Sequence, residues 1–228
     1  MARADLHLHT NLSDGRPSPA ELAARLLDSD LDVAAVTDHD TLEGALRVRD
    51  AMRGHGPELV LGVEVTSRDG HVLALYVERE IPSGLSAEAT IDRIHSEGGI
   101  AIAAHPFFPR LSVGGLAGEL PFDAIEVMNG TVLGGPANLR ARRRWGRSGK
   151  TLVAGSDAHV LAAVGQAWTA FEGTGAAGLR EALLDGRVTP CFDRSAHLSA
   201  FPAAAVQLLA GSLRELRGQS PLAVGSRP

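Results

Sequence analysis

His7 and His9 stand two residues apart in the segment Asp5-Leu6-His7-Leu8-His9-Thr10. Residues i and i+2 of a strand project from one face, so both imidazoles would point to one place, an arrangement that suits a metal ion. Groups of the same chemistry recur along the chain. Asp14 lies in Ser13-Asp14-Gly15, Asp38 and His39 in Thr37-Asp38-His39-Asp40, and Glu64 in Gly62-Val63-Glu64. His71 follows, then His105 in Ala104-His105-Pro106, and Asp157 with His159 in Gly155-Ser156-Asp157-Ala158-His159. Taken singly, each has a plain structural use, such as a turn former, a solvated strand residue or a hydrogen-bonded core histidine. Together they form a mixed imidazole and carboxylate set without thiolates, which suits Zn²⁺, Mn²⁺ or Fe²⁺. The set is too large for one ion. It implies two or three close ions, with a carboxylate such as Glu64 suited to bridge two of them. Clustered cations stabilise a phosphoryl group and generate a hydroxide nucleophile near neutral pH.

The elements that must position these residues alternate in type. Ala4–Leu8 reads as a strand. Ser18-Pro19-Ala20-Glu21 is a capping box with proline at the first helical position, opening a helix to about Ser29. Asp32–Thr37 has a buried-strand pattern, and Thr41–Arg53 reads as a helix stopped by Gly54. Leu59–Val65 and His71–Val77 are strands, Ser86–Glu97 a helix closed by Gly98-Gly99, and Ile100–Ala104 and Ala124–Met128 strands again. Ala137–Ser148 is an arginine-rich helix, Thr151–Ala154 and Ala167–Phe171 are strands, and Gly178–Leu184 and Ala203–Arg217 are helices. Residues 1–217 read as one domain and 218–228 as a loose tail. Such alternation predicts an α/β protein of parallel βα units, either a barrel or a doubly wound sheet. Six of the nine histidines then fall at strand termini on one rim, where α/β barrels build active sites. His55, His95 and His197 fall in helices or loops and carry no such signal.

Composition narrows the classes further. The chain has 228 residues, 44% hydrophobic and 21% charged, enough apolar mass for a sizeable core and too much for a disordered chain. The apolar runs are too short for a membrane span, and the first residues run straight into Asp5-Leu6-His7, so the reading is a cytoplasmic protein with no membrane partner. A single cysteine, Cys191, excludes a disulfide framework and reads as an inert thiol. A net charge of −5 and 4% aromatics argue against gripping long nucleic acid by bulk charge or stacking.

These motifs, in this order, resemble the PHP (polymerase and histidinol phosphatase) family over about residues 4–172. The resemblance implies a distorted (β/α)7 TIM-like barrel, a trinuclear metal site and phosphoester hydrolysis. By motif, His7, His9, Glu64 and Asp157 would hold one ion. Glu64 would bridge to a second held by His71 and His105, and Asp14, His39 and His159 would hold a third. Aspartate at 14 is similar to the branch of nucleotide phosphatases and small 5′-to-3′ exoribonucleases, often Mn²⁺-dependent. That branch often carries an insertion domain before the Ala-His-Pro motif. Here only Ile100–Ala103 separates Gly99 from Ala104, so the site should be open.

The expected activity is therefore phosphatase or phosphodiesterase action on small phosphorylated metabolites, nucleotides first, with no obligate protein partner. Short RNA, a histidinol-phosphate-type substrate and a non-catalytic metal-binding module are the alternatives. Asp38 would orient a histidine or cap the helix at Thr41. Asp38 or His159 would manage protons, and Arg110 would clamp phosphate. Glu126 and Asn129 would reach the site or satisfy loop amides. Arg140, Arg142, Arg143, Arg144 and Arg147 would form a solvated face or a handle for a nucleotide or RNA end. Trp145 and Trp168 read as core.

Overall fold

The computed structural model describes residues 1–109, 111–131 and 134–193. The helix expected over 203–217, the tail 218–228 and Arg110 lie outside the described residues. The first helix, α1 (Pro19–Leu27), forms where the capping box predicts. Ser18 Oγ accepts the Glu21 amide and Glu21 Oε2 accepts the Ser18 amide, satisfying two donors that the helix start would otherwise strand. Leu22, Ala23 and Leu26 give it one buried face.

The strands are β1 (Ala2–Asp5), β2 (Val33–Val36), β3 (Glu58–Ser67), β4 (Gly70–Leu75), β5 (Ile100–Ala103), β6 (Ala124–Asn129), β7 (Leu152–Gly155), β8 (Ala167–Phe171) and β9 (Val188–Phe192). They make one sheet in the order β7-β6-β5-β4-β3-β2-β1-β8-β9. The remaining helices are α2 (Glu43–Met52), α3 (Ala87–Ser96), the short α4 (Leu116–Glu119), α5 (Gly134–Trp145) and α6 (Gly175–Leu184). The sheet curls until β7 meets β8 and β9, giving a nearly closed, distorted TIM-like α/β barrel. Among the described residues, no helix is long and apolar enough to cross a membrane.

The core divides as this layering requires. One apolar cluster fills the barrel and is plugged by α6, with Leu6, Val33, Leu73, Leu75, Ile102, Phe171 and Leu179 all buried. A second lies under α3 and α5, with Ile91, Ile94 and Trp145. A third lies under α1 and α2, with Leu22, Val48 and Met52.

The sheet is mixed, where regular alternation predicted parallel units. β1 and β2, β2 and β3, β5 and β6, and β6 and β7 run parallel. β4 is antiparallel to both β3 and β5, because the Ser67–Gly70 turn joins β3 to β4 as a hairpin with no room for a crossover helix. β8 and β9 are also antiparallel additions. β9 was not expected from its sequence. Its Thr189-Pro190-Cys191 stretch looks like loop, and proline is tolerated there because β9 is an edge strand.

Side chains close the seam between the two ends of the sheet. Thr169 Oγ1 accepts the Ala154 amide and donates to the Ala154 carbonyl, both at 2.9 Å. The Asp5 carboxylate accepts the amides of Ser156 and Gly165, each at 2.9 Å. Leu8 and Ala158 pair above them. Thr169→Val removes both hydroxyl bonds and leaves a buried amide and carbonyl unpaired. It should lower the unfolding free energy of the metal-free protein by about 2 kcal/mol, read from the urea midpoint at unchanged slope. A loss under about 0.5 kcal/mol would show that this hydroxyl does not hold the seam.

Candidate metal centre

The rim that carries the C-terminal ends of β1, β2, β5, β6 and β7 also carries the start of β4, because β4 runs the other way. This is how His71, at the beginning of a strand, joins residues at the ends of others. His7 and His9 lie just past β1 in chain that stays extended, and Leu8 between them is buried on the opposite side. Their rings are 5.0 Å apart. Two glycines make room. A Cβ at Gly15 would lie 2.7 Å from the His9 carbonyl oxygen, so only glycine lets the Ser-Asp-Gly turn fold back and bring Asp14 to the rim. A Cβ at Gly155 would lie 2.6 Å from the His7 Cβ. His105 and Asp157 adopt left-handed backbone angles, φ 25° and 50°, that L residues seldom take. Such strain persists only where the surroundings over-determine it.

Glu64 stands at the centre with 1% exposure. One of its oxygens, Oε2, is 3.0 Å from His7 Nε2, 3.2 Å from His9 Nε2 and 3.5 Å from His39 Nδ1. The other, Oε1, is 2.8 Å from His71 Nδ1 and 2.9 Å from His105 Nε2. Asp157 Oδ1 lies 3.4 Å from His7 Nε2 and 3.2 Å from His9 Nε2. Asp14 Oδ2 lies 3.6 Å from His39 Nε2 and 3.0 Å from His159 Nε2. The sequence-expected ligand positions His7, His9, Asp14, His39, Glu64, His71, His105, Asp157 and His159 are thus brought together. Three overlapping sets have donor atoms within 4.8 Å of one another and could each hold an ion: His7, His9, Glu64, Asp157; His9, Asp14, His39, His159; and His39, Glu64, His71. The last contains His39 where the resemblance implied His105, whose Nε2 lies 2.9 Å from the same Glu64 oxygen that His71 Nδ1 approaches at 2.8 Å.

The donors fit metal ions better than they fit each other. Both ring nitrogens of His9 and of His71, Nδ1 of His39 and Nδ1 of His105 are buried without a well-directed hydrogen bond. Carboxylate oxygens are nonetheless 3.2 Å from His9 Nε2. Two atoms each about 2.1 Å from one ion lie roughly 3.0–3.4 Å apart at octahedral or tetrahedral angles. Convergent lone pairs at that separation, and none of them a thiolate, suit Zn²⁺, Mn²⁺ or Fe²⁺.

Charge within the cluster is strongly coupled. Burial disfavours the Glu64 anion, but the imidazoles of His71, His7 and His39 outweigh it and hold its pKa well below the carboxylate range. Burial and the neighbouring His159 oppose charge on His9, yet Asp157, Glu64 and Asp14 push it up to about 9. His159 rises to about 9 as well, burial being outweighed by Asp14 and Asp157. Burial also works against His7, and Asp157, Glu64 and Glu126 raise it well above its ordinary value.

Behind the cluster, Glu126 Oε1 is 3.1 Å from His7 Nδ1, while its Oε2 accepts the His105 amide at 2.8 Å and Asn129 Nδ2 at 2.9 Å. A carboxylate at Nδ1 leaves Nε2 facing Glu64 and Asp157, the arrangement that fixes a ligand histidine. Asn129 also donates to Asp157 Oδ2 at 3.0 Å. Glu126 therefore both reaches the site and satisfies a loop amide. Asn138 on α5, which sequence reasoning passed over, holds Asn129 in place through its backbone amide and carbonyl.

Asp38 requires a correction. It accepts the Thr10 amide at 2.8 Å, the Thr10 hydroxyl at 2.7 Å and the Ser13 hydroxyl. It pins the loop that carries Asp14 and makes no bond to a histidine among the described residues, so proton transfer by Asp38 has no geometry here. It does not cap α2 either, which starts without a side-chain cap. His159 remains at the mouth. Its Nδ1 bonds the Asp157 carbonyl, which can only accept, so Nε2 is the atom turned to Asp14.

A nearly closed α/β barrel with a buried imidazole and carboxylate cluster on its rim defines a metal-dependent hydrolase. The chain belongs to the PHP family: residues 5–105 match the PHP domain and residues 135–188 the PHP-associated region. It is accordingly a metal-dependent phosphoesterase. It is 33% identical over 139 residues to an uncharacterized protein of Methanocaldococcus jannaschii, covering 56% of this chain and 81% of that one. It is 37% identical over 82 residues to the 5′-3′ exoribonuclease of Haemophilus influenzae, covering 34% of this chain and 30% of the relative. A crystal structure from Bacteroides vulgatus, a two-domain protein containing a predicted PHP-like metal-dependent phosphoesterase, superposes with a TM-score of 0.70 at 18% identity, over 84% of this chain and 65% of that one.

Protons and metal ions compete for these imidazoles. His9 and His159, raised from 6.5 to about 9, favour the metal-free fold fully below pH 6.5, and that contribution disappears as pH climbs through 9. Binding a divalent ion must expel those protons. Metal affinity should therefore rise steadily from pH 6.5 to 9, with protons released on loading. In parallel, the melting temperature of chelated protein should fall over that range. Calorimetric titration in two buffers of different ionisation enthalpy checks this, and a pH-independent affinity would contradict it.

Glu126→Gln keeps the shape but removes the charge behind His7. It should weaken metal binding about 10- to 100-fold, as measured by chelator competition, with an unchanged circular dichroism spectrum.

Proposed function

We propose that the rim cluster holds two or three divalent ions, Mn, Fe or Zn, and that the chain hydrolyses phosphoesters of small phosphorylated metabolites, nucleotides first. The observation that carries this reading is Glu64, whose two oxygens face two different groups of imidazoles. A carboxylate so placed is suited to bridge two ions. Bound divalent ions would supply Lewis-acid charge for the phosphoryl oxygens and lower the pKa of a water. The chain's own residues set where this can happen. Glu64, His7 and His9 are sealed, whereas the side chains of Asp14 and His159 are 43% and 23% exposed, so a substrate enters on their side. Three ions would outweigh the carboxylates of Asp14, Glu64 and Asp157, leaving a cationic mouth in a chain of net charge −5. Glu126 and Asn129 hold His7 and Asp157 without meeting substrate. Phosphate clamping by Arg110 stays part of the proposal and lies outside the described residues. A second reading, 5′-to-3′ cleavage of short RNA, is supported by the local identity to the Haemophilus exoribonuclease.

β5 starts directly after Gly99, so no insertion domain covers the cluster from that side. An uncovered mouth draws little binding energy from remote parts of a substrate. Among phosphomonoesters with leaving groups of similar pKa, kcat/KM should vary less than about 100-fold, roughly 2.7 kcal/mol. A screen of nucleoside monophosphates and other small phosphomonoesters with Mn²⁺ checks this, and one of them favoured by about 10,000-fold would contradict it. Glu64→Gln should abolish turnover and cut bound metal by elemental analysis. Retention of both would sink the bridging role.

A further inference from the structure

Helix α5 presents a stripe of exposed arginines that the metal cluster does not use. From Val127 to Ser156 the chain carries Arg140, Arg142, Arg143, Arg144, Arg147 and Lys150 and no Asp or Glu, although the net charge is −5. Four other surface arginines are paired, Arg47 with Glu43, Arg49 with Asp50, Arg93 with Glu97 and Arg187 with Asp185, and the ones without a carboxylate partner among the described residues, such as Arg53, Arg68 and Arg79, stand far apart in the chain rather than on one helix face. Among the described residues, the α5 arginines have no carboxylate within pairing distance. A solvated face built for solubility alone would mix signs, as α2 does.

The stripe is also shaped. Pro136, Leu139, Arg140, Arg143 and Arg144 recur at the three- and four-residue spacing of one helix face and line a shallow concavity of about 410 Å³. Leu139, half exposed, provides an apolar ledge among the guanidinium groups. The Arg140 guanidinium carbon lies over the Phe107 ring at 4.2 Å, and Phe107 stacks on Trp145 at 5.0 Å with rings nearly parallel.

The location ties this face to the chemistry. Phe107 follows His105 by two residues, and Asn138 on α5 holds Asn129, whose side chain holds Asp157. α5 thus begins on the same rim as the cluster and leads away from it.

We propose that this face is a binding track for a short single-stranded oligonucleotide whose terminal phosphoester reaches the metal cluster. Planar guanidinium groups both grip phosphate oxygens and stack on bases, and an apolar ledge between them accepts base faces. From residue 136 to 144 the stripe runs about 12 Å at 1.5 Å per residue, room for a few nucleotides. The stripe supplies the remote contacts that the open mouth lacks. Cleavage of the bound strand rests on the phosphoesterase reading, whereas binding to the stripe does not.

The test uses a fluorescently labelled single-stranded RNA 10-mer and anisotropy on the full-length, metal-free chain, with Arg143→Glu/Arg144→Glu compared against wild type. A control, Arg47→Glu/Arg187→Glu, makes the same charge change elsewhere on the surface. The track predicts that the wild type binds with a log-affinity slope against log salt of about −2, as for roughly three phosphates on a single strand. The α5 variant should lose at least 10-fold in affinity and the control less than 2-fold. Equal losses in both variants, equal affinity in all three, or tighter α5-dependent binding to phosphatidylserine vesicles than to the RNA would overturn the track. Hydrolysis of p-nitrophenyl phosphate and of bis-p-nitrophenyl phosphate by wild-type protein with Mn²⁺ separates the two claims. If both are absent while α5-dependent RNA binding persists, the phosphoesterase reading fails and the track stands.

Discussion

A carboxylate buried to 1% exposure among imidazoles governs this molecule. Glu64 cannot stay ionised in a dry interior without compensating positive charge within a few ångströms. Five histidines from four separate segments surround it, and their positions require the barrel to be curled as it is. Without metal, protons on His7, His9, His39 and His105 supply the charge, while burial holds the His71 pKa below its ordinary value; bound divalent ions would supply it instead. The same construction that stabilises the empty cluster therefore prepares it for cations, and exchange between protons and metal becomes a property of the fold.

The support for this arrangement extends outward in layers. Glu126 fixes His7 and the backbone of His105, Asn129 fixes Glu126 and Asp157, and Asn138 fixes Asn129 from α5. On the other side, Asp38 gathers Thr10 and Ser13 and so carries Asp14. Asp5 and Thr169 close the seam beneath. Each is a polar group spent on position rather than on chemistry, buried where an apolar residue would pack as well. Outer contacts of this kind fix the orientation of the donors that would hold metal. Among the described residues the mouth, by contrast, is left open at Asp14 and His159, and the α5 arginines that start from the same rim have no carboxylate partner.

The residues carried much of this openly. Donor identity is local information: imidazole and carboxylate at strand termini, glycine where a turn must fold back, and serine, proline and glutamate at a helix start could all be read in order along the chain. So could α1 and most strands, because apolar periodicity reports burial directly. The family and the barrel followed from motifs that are short and rigid in spacing. The opposite direction of β4 and the added edge strand β9 were not legible. A hairpin and a crossover can join the same apolar segments, and Pro190 disguised a strand as loop.

By itself the sequence determined which atoms are available to bind cations and at which ends of which elements they stand, since these depend on side-chain chemistry and local periodicity. Only the tertiary structure decided which donors share a site. It brought His39, His71 and His105 around the two Glu64 oxygens, turned Asp38 away to Thr10, and set Glu126 behind His7. Those choices turn on differences of an ångström or two between residues far apart in the chain. Sheet curvature, strand register and the approach of backbone at Gly15 and Gly155 set such distances, and no stretch of sequence encodes them alone.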